Sequence, residues 1–328
     1  MISRRPLMLF AFLLLAVAAL FACPFFGVLP VSVNSLWDLS SDPLGSKVLW
    51  ELRLPRILLA FLAGAGLAVS GLVYQAMLQN VLASPYTLGV ASGAAFGAAL
   101  STRLGVTFSL PGLPSSMLFA LIGAALTAVL VMGLSAVGRS FSAVSMLLAG
   151  VVISFFFSSL IMLLQYLSDF GQVFAITRWL MGSLDAGGAG FGSAAVLILT
   201  GFFIILLLGP QVDLLALGDE LAISRGLNAR RARLLLFFAV TLIVGAVVSS
   251  CGPIGFVGLI IPYVVRALLG HTGHRSLSLA SAMLGGSFLV ICDTAARSII
   301  APFEIPVGVV TALLGGPFFL WILIGKRL

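Results

Sequence analysis

Long apolar runs, each ended by glycine, proline or charge, recur from one end of this chain to the other, and they constrain its fold more than any single motif. The run "MLFAFLLLAVAALFACPFFG" opens the series and "VGVVTALLGGPFFLWILIG" closes it. A helix that crosses a hydrocarbon core of about 30 Å needs about 17 to 25 such residues. Apolar windows between breakers place ten segments, near 7–29, 54–78, 87–103, 115–138, 143–166, 192–209, 234–251, 256–269, 277–298 and 307–325. Two of them, 87–103 and 256–269, are short for a crossing and follow the breaks "LASPYTLG" and "CGPIGFVG". Broken or partial helices inside a bundle are therefore expected. Sheet-like alternation is absent, which points away from a β-barrel. The expected fold is an all-α integral membrane protein of about ten transmembrane helices, one domain over residues 1–328.

Composition agrees, with 61% hydrophobic and only 8% charged residues, against about 25% charged in soluble domains. The basic start and apolar run of residues 1–27 resemble a signal peptide, but the run exceeds a signal's apolar core of about 7 to 15 residues and no A-x-A site closes it. It reads as the first span. Cys23, Cys251 and Cys292 stand far apart with no CxxC pair, so packing is expected of them rather than a disulfide or metal framework.

Basic residues give the orientation. With ten spans and an inner N-terminus, one face receives eleven basic and three acidic side chains, and the other six basic and seven acidic. The positive-inside rule then expects both termini in the cytoplasm of a cell whose inner membrane holds the chain. Topology thus accounts for the net charge of +7 without nucleic acid.

Chemistry inside the membrane would need a constellation, and no HExxH or acid pair occurs. His271 and His274 share one turn with no acid near them in sequence, which reads as a plain surface loop. The span middles hold almost no ionisable groups, so a proton or sodium relay lacks its parts. Energy for transport would then come from elsewhere. Small residues recur at close spacing, as in "AGAGLAVSG" and "AMLGGS", and let helix backbones approach where lipid supplies no hydrophobic drive.

Against this background the stretch "LALGDELAISRGLNARRAR", residues 215–233, stands out with six charged side chains. Asp219 and Glu220 suit the first turn of a short cytoplasmic helix and Arg225 its end, as the helix dipole favours. Gly226 suits the stop at C′. A solvated loop helix would satisfy the same pattern.

The spacing Glu220-x-Ala222-x-x-x-Gly226 resembles the E-A-A-x-x-x-G loop of ABC importer permeases, with Leu221 where that pattern has Ala. Longer segments resemble the permease family that imports cobalamin, ferric siderophores and haem. They are "RLPRILLAFLAGAGLAVSG", "QNVLASPYTLGVASGAAFGA", "LLAGVVIS", "WLMGSL", "GPIGFVGLIIPYVVR" and "EIPVGVVTALLGGPFFLWIL", in the family's order along nearly the whole chain. The resemblance implies a cobalamin-permease-like bundle, a homodimer around a central path, two ATP-binding subunits below and a periplasmic binding protein above. ATP and Mg²⁺ would be used by those partners, because no GxxxxGK[ST] loop occurs here. No cofactor, metal or catalytic residue is expected of this subunit.

Residue by residue, the resemblance implies a coupling segment over 215–230, with Leu215, Leu217, Glu220, Ala222, Gly226 and Arg230. It implies binding-protein docking by Arg53, Arg56 and Arg297, and a cytoplasmic gate at Ser142, Ala143, Val144 and Ser145. Ser154, Ser158 and Ser159 are candidates to line the path. Ala143 and Val144 stand where the cobalamin importer has small hydroxyl residues, and Tyr263 where relatives often carry His. An ion-coupled secondary carrier, a non-transporting membrane component and a molybdate or tungstate permease of the same fold are the alternative readings. Cargo is left open among cobalamin, siderophore, haem and oxyanion.

Overall fold

The computed structural model describes residues 4–27, 43–106, 109–110, 113–137, 143–184, 190–270, 272–300 and 303–325. In chain order its helices are α1 (Arg4–Ala22), α2 (Pro43–Lys47), α3 (Leu54–Met77), α4 (Val90–Arg103), α5 (Ser115–Val137), α6 (Ala143–Tyr166), α7 (Phe170–Leu180), α8 (Phe191–Leu207), α9 (Gly209–Leu215), α10 (Asp219–Ser224), α11 (Ala229–Cys251), α12 (Val257–Leu269), α13 (His274–Ser298) and α14 (Val307–Gly325). A π-helical stretch, Val48–Arg53, joins α2 to α3. A two-residue antiparallel ribbon pairs Ser109–Leu110 with Leu113–Pro114.

Among the described residues, six helices are long and apolar enough to cross a membrane, and α8 with α9, bent by 62° where they meet, makes a seventh candidate. The bend falls at Leu208, just before Pro210, whose ring suits the first turn of α9. The shorter α4, α12 and α14 fill the remaining expected segments, so each of the ten windows read from the sequence is helical. What sequence reasoning did not place is α7, an amphipathic helix capped by Asp169, whose side chain accepts from the Gln172 N–H at 2.8 Å.

The short helices follow breaks that satisfy their own backbone, as hydrocarbon demands. In residues 79–89, Ser84 N–H donates to Thr87 Oγ1 at 2.8 Å, and the Thr87 hydroxyl lies 3.0 Å from the Ser84 carbonyl. Before α12, Gly252 turns the chain at φ +67°, and the Cys251 carbonyl accepts from Ser183 N–H at 2.8 Å. The three cysteines are buried and unbridged.

Helix α3 is the centre of the bundle and contacts α8, α11, α12 and α13. Every residue from Ala63 to Met77 is buried. Glycine makes this possible by bringing backbones together. A Cβ on Gly71 would stand 1.8 Å from the Gly258 carbonyl oxygen of α12, and one on Gly64 would stand 2.3 Å from that of Gly285 on α13. The α4–α5 pair repeats the device, with a Gly123 Cβ falling 2.1 Å from the Gly93 carbonyl. Replacing Gly71 by Leu is expected to cost about 1–3 kcal/mol or more by overpacking. The thermal midpoint in detergent checks this against Gly192→Leu, where a Cβ meets nothing within 4 Å. Equal midpoints would show that the α3–α12 approach is not what holds the bundle.

Candidate docking and coupling surfaces at the two ends of the bundle

At one end of the bundle α10 stands apart as a two-turn helix. Gly218 begins it, and Ser224 ends it. Its stop is a Schellman closure, in which Gly226 N–H donates to the Ile223 carbonyl at 2.9 Å and Leu227 N–H to that of Ala222 at 3.0 Å. Gly226 takes φ +81°, the left-handed conformation that a glycine adopts without Cβ strain. Beneath the helix, Leu215 and Ala222 are buried, while the partly exposed Asp219 pairs with the buried Arg233 on α11. Outward, Glu220, Arg225, Gly226 and Arg230 are exposed. So are Leu217 at 51%, Leu221 at 52% and Ile223 at 62%. A short charged helix that leaves three large apolar side chains uncovered is shaped for contact with another protein.

Of the gate residues, Ser142 lies outside the described residues. Ala143 begins α6, and Val144 and Ser145 follow it, both exposed. Val144 starts a stripe that continues through Leu148, Phe155, Met162 and Tyr166, all exposed and at helical spacing. The candidate lining serines do not share one face. Ser159 lies in that stripe, whereas the Ser154 hydroxyl is turned into the protein, donating to Gly150 O at 2.8 Å and lying 3.3 Å from Tyr86 O. Ser158 falls between them, half-buried.

The opposite end brings Arg53, Arg56 and Arg297 together, but not as three exposed arginines. Asp293 of α13 holds two of them, Arg56 and Arg297. Its side chain is 0% exposed. Arg56 Nε and Nη2 donate to Asp293 Oδ1 at 3.1 and 3.0 Å, and Arg56 Nη1 donates to Glu304 Oε2 at 2.9 Å. Arg297, one turn after Asp293 on α13, places Nε 3.1 Å from Asp293 Oδ2, an ion pair without aligned hydrogen-bond geometry. Arg53 is buried too, and its Nη1 donates to the Pro24 carbonyl at 2.9 Å. Arg56 therefore spans α3, α13 and the α13–α14 connection, and its contact with Glu304 reaches an exposed partner.

Sequence separation hid this arrangement. Asp293 and Glu304 lie 237 and 248 residues from Arg56. The same is true of His274, read as part of a surface loop without an acid. It opens α13, mostly buried, with Nδ1 2.6 Å from Asp213 Oδ1 of α9 and its backbone N–H donating to the same oxygen at 2.8 Å. His271 lies outside the described residues. Near His274, Arg266 of α12 donates to the side-chain Oε1 of Gln75 on α3, beside a cavity of about 390 Å³. No cluster of three His, Cys, Asp or Glu able to hold a metal occurs among the described residues.

Asp293→Asn would leave two arginines buried beside a neutral amide. Removing one partner of a buried pair costs about 3–5 kcal/mol, so a large fall in the thermal midpoint in detergent is expected. A midpoint within a degree or two of the parent would mean that Asp293 does not organise this end.

Comparison with known proteins identifies the family. The FecCD transport family model matches residues 13–325. The hemin transport system permease protein HmuU of Yersinia pestis is 38% identical over 99% of this chain and 97% of its own length. The Fe(3+)-citrate import system permease protein YfmE of Bacillus subtilis is 35% identical over 98% and 96%. A solved metal-chelate type ABC transporter, in an inward-facing conformation, superposes with a TM-score of 0.84 at 34% identity, covering 98% of this chain and 99% of that one. The chain therefore belongs to the FecCD transport family.

Proposed function

We propose that the chain is the transmembrane permease subunit of an ATP-driven importer for an iron chelate of the haem or ferric-citrate kind, passed from a periplasmic binding protein to the cytoplasm. The observation that carries the proposal is α10, a helix fixed to the bundle by Ala222 and the Asp219–Arg233 pair, with Leu217, Leu221 and Ile223 turned outward. A carrier driven by an ion gradient has no use for such a surface. The relatives named for hemin and Fe(3+)-citrate support the cargo class.

In this reading the α10 end faces the cytoplasm, with both chain termini, and the chain sits in the inner membrane. Two ATP-binding subunits hold α10 and use the ATP and Mg²⁺, while the permease carries no cofactor and catalyses nothing itself. Nucleotide-driven closure of those subunits pushes α10, and Asp219–Arg233 carries the push to α11. A second copy of the chain covers the Val144–Tyr166 stripe of α6. Two such faces across a dimer axis bring Val144, 73% exposed in the protomer, into an apolar constriction that closes by excluding water. Ala143 and Ser145 would flank it, and Ser159 lies better than Ser154 to face the path. At the outer end Arg56, backed by Arg53 and Arg297, receives a carboxylate of the binding protein, a partner that suits the planar guanidinium.

Reconstitution with its ATP-binding subunits and loaded binding protein should give uptake of haem or ferric citrate only when ATP is supplied. Uptake without nucleotide would overturn the proposal. Gly226→Pro forces φ to about −65° where the chain needs +81°. It is expected to abolish coupled uptake and weaken ATPase association while the permease still inserts. Normal uptake by that variant would remove α10 from the mechanism.

A further inference from the structure

Two carboxylates touch Arg56, and they are placed very differently. Asp293 is fully buried, reaches the Nε and Nη2 edge of the guanidinium, and is also held by Arg297. Glu304 reaches only Nη1, at 2.9 Å, and its side chain is 55% exposed. It lies in the connection between α13 and α14, which returns to the bundle through Ile305 N–H donating to the Ala296 carbonyl at 3.2 Å. That return holds Glu304 over the outward edge of Arg56.

We infer that Glu304 is an internal stand-in for the partner's carboxylate: it occupies the outward edge of Arg56 until an acidic side chain of the binding protein displaces it. The inference rests on the docking reading above. Its physical basis is the difference between the two acids. Asp293 cannot leave, because its departure would strand buried charge. Glu304 can rotate into water at little cost, since a half-exposed pair is weak and screened by salt. Exchange of one carboxylate for another leaves the guanidinium paired throughout. The permease thus keeps Arg56 aimed outward without an unpaired cation, and each docking event competes with an acid that is always present. Such competition lowers affinity and speeds release, which suits a partner that must leave after delivering its cargo.

The test is binding of loaded binding protein to the assembled transporter in nanodiscs, at low and at high salt. Variants are Glu304→Gln, Arg56→Glu and, as a control for net charge, Glu51→Gln. Glu51, in the π-helical stretch two residues before Arg53, is exposed and pairs with exposed Lys47 at 4.0 Å. Removing Glu304's charge should tighten binding about 2- to 5-fold at low salt, the range expected of a weak exposed pair. The gain should shrink at high salt, and Arg56→Glu should weaken binding. If Arg56→Glu weakens binding but Glu304→Gln leaves it unchanged or weaker, the stand-in idea fails and docking stands. A Glu51→Gln gain equal to that of Glu304→Gln would also overturn it, because net charge would then account for the effect. No effect of Arg56→Glu would overturn the docking reading itself, and the inference with it.

Discussion

Backbone-to-backbone contact through glycine is the constraint on which this structure depends. In lipid, two apolar helices gain nothing by hiding from water, so association rests on dispersion and close fit. The central helix α3 achieves that fit at both ends of its buried half. Gly64 lies against Gly285 of α13 and Gly71 against Gly258 of α12, at distances no side chain could share. Because α12 begins only at Val257, its first turn must be delivered to Gly71 by the preceding break. The "CGPIGFVG" segment is therefore a positioning element, and the loops that interrupt the spans serve the same packing as the spans do.

Charge is concentrated at the two ends of this core, and each end uses it differently. At the α10 end, Asp219–Arg233 and Asp213–His274 tie short helices to long ones while leaving apolar side chains outward. Those pairs mount a surface that stays uncovered among the described residues. At the other end, one buried carboxylate gathers arginines from α3 and α13. Arg53 and Arg297 are buried, and Arg56 meets the exposed Glu304. A family resemblance makes three arginines look equivalent. Their surroundings separate one outward contact from two supports.

Much of the fold was legible in the sequence because lipid imposes a length and a periodicity that composition cannot disguise. All ten windows proved helical, the short spans followed the breaks that contained Pro and Gly, and Gly226 stopped α10 as its residue type and position required. The amphipathic α7 was missed, since a half-polar helix of 11 residues carries no span signal. The three serines of α6 were grouped by residue type, yet a turn of 100° per residue puts Ser154 and Ser159 on different sides. His274 was placed on the surface because its partner, Asp213, lies 61 residues away in sequence.

By itself the sequence determined the solvent, the apolar helical segments, the places where they break and the helix that stands outside the bundle. Each of these follows from local facts: run length, the missing proline N–H, the missing glycine Cβ, and a cluster of charge between apolar runs. Only the tertiary structure decided which glycines meet, which arginine faces outward and which acids hold the others. Those outcomes depend on contacts across more than 180 residues of chain, such as Gln75 to Gly258 and Arg56 to Glu304. Close contact and desolvation arise only once the helices are assembled, and local residue pattern does not encode them.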